Sequence, residues 1–479
     1  MLRRALKYWW IRPAGGREML TLALPLIVST ASWTVMNFVD RMFLVWHSTA
    51  EMAATMPAGV LHWTILCLPL GIASYVNTFV AQYYGARRSK RIGAAVWQGI
   101  GVGVVATPLF LLTIPLAPWL FQLAGHAPEI AAHEVTYFQI VAVGGGASVL
   151  AAAMSSFFSG LGNTRVVMLV DTLSALTNVV LDYAWIFGHW GFPEMGIAGA
   201  AWATVVSQWL RPILYGSIMA LPRYRRPYHL VAGCRFDPDL ARRLLTYGGP
   251  NGLQMLVEVS AFTLFVLLVG RLGPDATAAT TLAFTVNNLA FVPMVGLGIA
   301  ISTVVGQQLG RDCPRLAARA TWTAFVMVAI YMGTFASLYV LVPDGLLMAH
   351  ASGASHTDFA RARELTVILL RFVAVYSLFD AMYLTFVSAL KGAGDTRFVI
   401  LANLILAPFP IFAGWWGIYH LGMGLFWCWS VLTIWACMLD SLFFARFLHG
   451  RWKTMRVIEP ELNELAVPAV AEPLGCPAE

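Results

Sequence analysis

The chain has 479 residues, of which 59% are hydrophobic and only 11% charged, with a mean hydropathy of +0.70 and a formal net charge of +7. A soluble domain carries about a quarter of its residues as charges, so this chain lacks the polar surface needed to stay in water. A soluble enzyme, a disordered chain and a disulfide scaffold are excluded, which leaves an integral membrane protein.

A helix needs about 20 apolar residues to cross the hydrocarbon core, and twelve such runs are legible. Residues 1–18 form a basic N-terminal segment, read as cytoplasmic and retained, because the run after it is too long for a signal sequence. The first span, 19–46, carries Asn37 and Asp40 one turn apart in its outer half. Spans two to four cover 52–82, 93–118 and 134–160. The fifth, 164–188, places Asp171, Asn178 and Asp182 on one face, and the sixth covers 195–221. Residues 222–242 are basic and turn-prone and read as a cytoplasmic linker. The seventh span, 243–270, carries a stripe of Asn251, Gln254 and Glu258; the eighth and ninth cover 276–306 and 316–342. The tenth, 364–390, sets Tyr376 and Tyr383 on either side of Asp380. The last two are 396–419 and 422–446; Asp440, near the inner end of the twelfth, is expected to pair with Arg446 or water. Residues 449–479, rich in Glu, Pro and Ala, read as a disordered cytoplasmic tail. The fold class expected is therefore all-α and multi-pass. It has an N-lobe over 19–221 and a C-lobe over 243–448.

Orientation follows from Lys and Arg. With both termini cytoplasmic, most of the 31 Lys and Arg fall in inner segments, and the outer loops hold only Arg271, Arg361 and Arg363. The basic excess is topological, so nucleic acid is not needed as a partner. The six cysteines show no metal spacing, and none falls in an outer loop, so no disulfide is expected.

The two lobes read as copies. Pro25 matches Pro250, Gly71 matches Gly296, and Gln82-Tyr83-Tyr84-Gly85 matches Gln307-Gln308-Leu309-Gly310, each 225 positions apart. Gly160-Leu161-Gly162-Asn163-Thr164-Arg165 matches Gly392-Ala393-Gly394-Asp395-Thr396-Arg397 at 232. Several matches at one offset mark an internal repeat. With six spans per copy, both copies enter from the same side, so the pseudo-twofold axis runs along the membrane normal.

A carboxylate at mid-membrane costs about 3 kcal/mol on insertion scales, so Asp40, Asp171, Asp182, Glu258, Asp380 and Asp440 each need a reason to be there. Asp40, Glu258 and Asp380 map onto Phe265, Trp33 and Ser148 of the other copy, so these acids are not part of the shared scaffold. Asn178 and Asp182, an amide and a carboxylate four residues apart, suit Na⁺ or a shared proton; an interhelical hydrogen bond is the structural alternative. A carboxylate between aromatic rings suits an organic cation. No GxxxxGK[ST] string is present, so ATP is not expected to power the protein directly.

These strings together resemble the multidrug and toxic compound extrusion (MATE) family, within the multidrug/oligosaccharidyl-lipid/polysaccharide exporter group, over about residues 17 to 456. The carrying residues are Pro25 with Phe38-Val39-Asp40, Val80 to Ala86, Gly160 to Thr164, Asn178 to Asp182 with Gly196 to Ala201, Glu258 with Phe262, and Asp380 through Arg397. The resemblance implies two six-helix lobes around a cleft and a non-enzymatic antiporter in a bacterial inner membrane. It would export organic cations in exchange for H⁺ or Na⁺, with no cofactor. It implies an ion site at Asp40, Asn178, Asp182 and Thr204, where any Na⁺ would sit. Glu258 and Asp380 match family acids, and with Tyr376, Tyr383, Gln254 and Asn37 they are the expected substrate-binding residues. No other metal is expected, and the chain is expected to be a monomer. Arg41, directly after Asp40, departs from the family pattern and could tie up that carboxylate. The alternative within the same group is a flippase for a lipid-linked saccharide, which would need a basic cleft.

Overall fold

The computed structural model describes residues 8–124, 128–348 and 356–460, and among these every regular element is a helix. Lipid offers no partner to an open backbone, so each span satisfies its own N–H and C=O groups as a helix. The long helices, in chain order, are α1 (Gly16–His47), α2 (Thr49–Ser74, continued as Val76–Gly85), α3 (Ser89–Thr113), α4 (Pro128–Gly160), α5 (Thr164–Ile186), α6 (Gly196–Ala220), α7 (Pro238–Gly270), α8 (Pro274–Gly310), α9 (Pro314–Leu341), α10 (His356–Ala393), α11 (Thr396–Leu406, continued as Pro408–Leu421) and α12 (Leu425–His449). Eleven are long and apolar enough to cross a membrane. The other, α6, has comparable length but is diluted by Ser207, Gln208 and Arg211.

α1–α6 form one bundle and α7–α12 the other. They meet where α2 packs on α7 and α8 packs on α1 and α2. The duplication is visible atom by atom. The glycine strings end α4 and α10 with Gly162 at φ +83° and Gly394 at φ +107°, and the next N–H returns to the helix: Asn163 N to Phe158 O at 2.8 Å, Asp395 N to Leu390 O at 2.9 Å. These are glycine C-terminal caps in both copies. The turns after α2 and α8 match as well, with Arg87 at φ 58° and Asp312 at φ 56°.

The seam between the lobes lies in the half of the molecule that carries the basic loops. A Cβ on Gly85 would fall 2.1 Å from Gln307 O, and one on Gly310 would fall 2.2 Å from Gln82 O. Each glutamine also reaches across to a glycine carbonyl: Gln82 Nε2 donates to Gly392 O (3.0 Å) and Gln307 Nε2 to Gly160 O (2.8 Å). Tyr75 OH donates to Lys391 O (2.7 Å), Asn251 Nδ2 to Gly71 O (2.8 Å), and Thr303 Oγ1 to Asn77 Oδ1 (3.1 Å). The basic end is thus closed. At the other end His47 lies between Glu51 Oε2 (2.8 Å) and Glu194 Oε1 (3.0 Å), ties made within the N-lobe alone.

Two segments differ from their sequence reading. The linker is packed on the underside of the N-lobe: Trp97 Nε1 donates to Leu230 O (2.7 Å), Gln98 Nε2 to Arg235 O (2.9 Å), and Tyr224 is buried against Phe157 and Phe158. The first part of the expected disordered tail is ordered. Arg451–Thr454 forms a 3₁₀ turn, and Trp452 and Val457 are completely buried. The acid- and proline-rich composition of the whole tail obscured these two apolar anchors; residues 461–479 lie outside the described residues. Contrary to expectation, Cys313 is disulfide-bonded, while Cys67, Cys234, Cys428 and Cys437 are free. Cys313 stands in the turn between α8 and α9, on the side of the basic loops and not in an outer loop.

Candidate functional site

Two buried polar clusters lie inside the lobes, one in each. In the N-lobe, α5 packs against both α1 and α6. Phe43, Leu44, Phe138, Val141 and Ala201 belong to one apolar cluster of the same lobe. Asn178 and Asp182 are fully buried, and Asp40 is 8% exposed. With its amide turned to satisfy both neighbours, Asn178 donates to Asp182 Oδ2 at 3.0 Å and accepts from the Thr204 backbone N–H at 3.2 Å. Asp40 and Asp182 interact electrostatically with each other, and both interact with the buried Tyr137 of α4. Asp40 Oδ1 and Asp182 Oδ1 have no hydrogen-bond partner. Two buried carboxylates with unsatisfied oxygens are costly unless a proton or cation joins them. Asp40, Asn178 and Asp182 are brought together, and Thr204 reaches them through its backbone N–H alone. Tyr137 was missed because an aromatic in an apolar helix gives no pattern to detect.

Arg41 acts on Asp40 through its charge but makes no ion pair with it among the described residues. Consecutive helical positions diverge by about 100°, so Asp40 turns inward while Arg41 is exposed. Asn37 does not join the cluster; its Nδ2 donates back to Trp33 O at 2.8 Å. Asp171 belongs to a separate network nearer the basic end. It accepts from Ser29 Oγ, from Arg211 Nε (3.0 Å) and from Tyr215 OH (3.0 Å), tying α1, α5 and α6.

In the C-lobe, Glu258 accepts from Tyr383 OH and from Gln254 Nε2 (2.7 Å), so α7 and α10 are joined through it. Tyr383 thus serves Glu258 and does not pair with Tyr376 around Asp380. Asp380 faces Tyr376, Tyr339 and Asp440. Asp440 does not pair with Arg446, which instead grips Asp395 through Nε–Oδ2 (2.7 Å) and Nη2–Oδ1 (3.3 Å). Six residues along a helix is 600°, so Asp440 and Arg446 leave α12 on different faces. Among the described residues no group of three or more His, Cys, Asp or Glu could hold a metal ion. A separate groove of about 820 Å³ between α7 and α11, lined by residues such as Leu264, Leu267, Phe412 and Trp415, contains none of these acids.

Two duplicated six-helix lobes, closed against each other at one end and each holding buried acids, define a multi-pass membrane transporter rather than an enzyme. The MatE family profile matches residues 25–184 and 250–416, and the chain belongs to that family. It is 29% identical over 449 residues to a protein named probable multidrug resistance protein NorM from Xylella fastidiosa, covering 92% of each chain. It is 26% identical to multidrug resistance protein PmpM of Pseudomonas aeruginosa, covering 85% of this chain and 84% of that one. An outward-facing structure of a multidrug resistance MATE family transporter of the MOP superfamily superposes with a TM-score of 0.82 at 17% identity, covering 94% of this chain and 99% of that one. A MOP superfamily transporter from Pyrococcus furiosus superposes equally well, with a TM-score of 0.82 at 17% identity over 94% of this chain and 99% of that one. That structure was described as having a binding pocket of reversed polarity and a different function. The fold alone therefore does not decide the substrate.

Proposed function

We propose that the protein is a secondary multidrug efflux antiporter of a bacterial inner membrane, exporting organic cations in exchange for H⁺ or Na⁺ by alternating access. The observation that carries this reading is the acidic interior of both lobes: Asp40 and Asp182 in one, Glu258, Asp380 and Asp440 in the other. Relatives named as multidrug resistance proteins support it. The basic loops lie on the cytoplasmic side, with both termini.

The chemistry follows from competition for negative charge. Asp40 and Asp182 with empty oxygens attract a cation. When H⁺ or Na⁺ from outside binds there, Asn178, itself held by the Thr204 N–H, keeps Asp182 in place, the site loses negative charge, and an organic cation near it loses attraction and leaves. Return of the ion to the cytoplasm restores the charge. A membrane potential of 100 mV supplies about 2.3 kcal/mol per charge moved inward. Glu258, Gln254, Tyr383, Asp380 and Tyr376 supply a second acidic, aromatic surface suited to a cationic substrate.

The test uses purified protein in proteoliposomes with a fluorescent organic cation such as ethidium, imposing pH and Na⁺ gradients separately. Movement under one gradient, abolished by Asp40→Asn, is expected and would name the coupling ion. Unchanged movement in Asp40→Asn would sink the reading. The flippase alternative needs free cations in the cleft. Arg211, one of the few basic residues within the spans, is committed to Asp171, which disfavours it.

A further inference from the structure

The C-terminal segment after α12 does not stay under the C-lobe that precedes it; it is held there first and then crosses to the N-lobe. Trp452 anchors it, fully buried, with its ring stacked on Phe447 at 4.9 Å and Nε1 donating to Phe447 O at 2.8 Å. Arg456 then pairs with Asp312 at the end of α8 (2.9 Å), and Val457 O accepts from Arg243 of α7 (2.9 Å); both are C-lobe partners. From the same residue the chain turns to the N-lobe. Val457 N donates to Gln82 Oε1 at 2.8 Å, and Glu459 accepts from Tyr83 OH (2.6 Å) and Arg91 Nε (2.9 Å), with Arg88 donating to its carbonyl. Arg91 also holds Asp237, the N-cap of α7, at 2.9 Å.

Gln82 is thus engaged at both ends of its amide: its nitrogen holds Gly392 across the seam, and its oxygen holds the strap. Gln307, its counterpart in the repeat, makes the matching bond to Gly160, but no strap residue bonds to it. The strap is an addition to one side of an otherwise duplicated seam.

We infer that residues 451–460 are an intramolecular latch: the ends of α2 and α3 form a carboxylate-binding surface whose partner is the chain's own Glu459, and its occupation holds the basic end of the seam shut. Residues bound to Arg243 and Asp312 on one lobe and to Gln82, Tyr83 and Arg91 on the other cannot keep both sets when the lobes part there. Resting on the alternating-access reading, the latch must release its N-lobe contacts in every cycle that opens the cytoplasmic side. Both halves make exchangeable side-chain bonds, but the C-lobe half is in addition anchored by the buried Trp452. Release therefore occurs at Glu459 and Val457.

The test is hydrogen exchange by mass spectrometry on the full chain in lipid nanodiscs, which needs no transport substrate and so stands apart from the antiport assay. Glu459→Gln weakens the charged contacts, and Val457→Pro removes the N–H that Gln82 accepts. A charge-assisted hydrogen bond lost from one of two states shifts their balance by about tenfold. Each variant is expected to raise exchange by about that factor in the basic-side ends of α2, α8 and α10, while the far ends of those helices stay as in the parent. Faster exchange confined to residues 451–460, with the seam unchanged in both variants, would overturn the latch and leave the strap a passive tail. Glu459→Asp, which keeps the charge, is expected to retain part of the protection that Glu459→Gln loses; seam exchange in Glu459→Asp as fast as in Glu459→Gln would count against the charged contacts as the latch.

Discussion

At the residue scale, partner choice separates the acids into two kinds. Asp171 is fully engaged by Arg211, Tyr215 and Ser29, and Asp395 by Arg446; these are structural. Removing one member of a largely buried ion pair typically costs about 3 kcal/mol because the other charge is stranded. Asp171→Asn is therefore expected to lower the melting temperature in a detergent thermal-shift assay, while coupling by the surviving protein is retained. Asp40 and Asp182 keep an empty oxygen each. Asn178→Ala is expected to cost about 1–3 kcal/mol of stability, because it strands two buried partners, and to reduce ion-driven transport by the folded protein about tenfold or more, since Asp182 loses its orienting donor; a rate equal to the parent would remove Asn178 from the site. The separation was partly legible in the sequence, where the amide–acid spacing on the fifth span singled out Asn178 and Asp182. It was not legible for Asp440. Its sequence neighbour Arg446 looked like the natural partner, and only the packing of α12 on α10 shows that it faces Asp380.

At the element scale, the paired glycines make the seam. The backbones approach so closely that Gly252 and Gly71 could not both carry a side chain: a Cβ on Gly71 would stand 2.3 Å from Gly252 Cα. Its counterpart in the repeat, Gly296, meets Leu26 and Ile27 of α1 in the same way. Gly71→Ala is expected to push α2 from α7 and populate the cytoplasm-open state, seen as increased labelling of a reporter cysteine on the cytoplasmic side of the cleft. Labelling equal to the parent would mean the seam can yield elsewhere. The offset of 225 residues picks out Gly71 and Gly296 in the sequence, but not Gly252. What it could not announce was that each glutamine of the pair reaches the other lobe and not its own, because a repeat in sequence fixes equivalence and not contact.

At the scale of the whole molecule, the latch has a definite pH behaviour. Burial pushes the Glu459 carboxyl up, but the Tyr83 hydroxyl, its own backbone and the Arg91 guanidinium outweigh this and hold it below the usual glutamate range. A depressed docked value means that the contribution of the charge to docking is complete above the undocked value, near pH 4, and is lost as pH falls through the docked one. Seam exchange is therefore expected to be flat across the near-neutral range and to rise only in acid; a rise between neutral and mildly acidic pH would assign the sensitivity to another group. The latch is accordingly no sensor of ordinary cytoplasmic pH.

The seam's acceptors are mostly main-chain carbonyls: Gly71, Gly160, Lys391 and Gly392 each take a hydrogen bond from the opposite lobe. When the lobes part, those carbonyls and their abandoned donors must be hydrated, since buried polar groups do not stay unpaired. Opening therefore draws a defined set of water molecules into the basic end of the seam, and closing expels them. Turnover should then depend on water activity. Sucrose or a similar excluded osmolyte, added equally to both sides of a vesicle, opposes hydration of new surface and would slow the cycle by retarding the opening step, with no effect on the driving gradient.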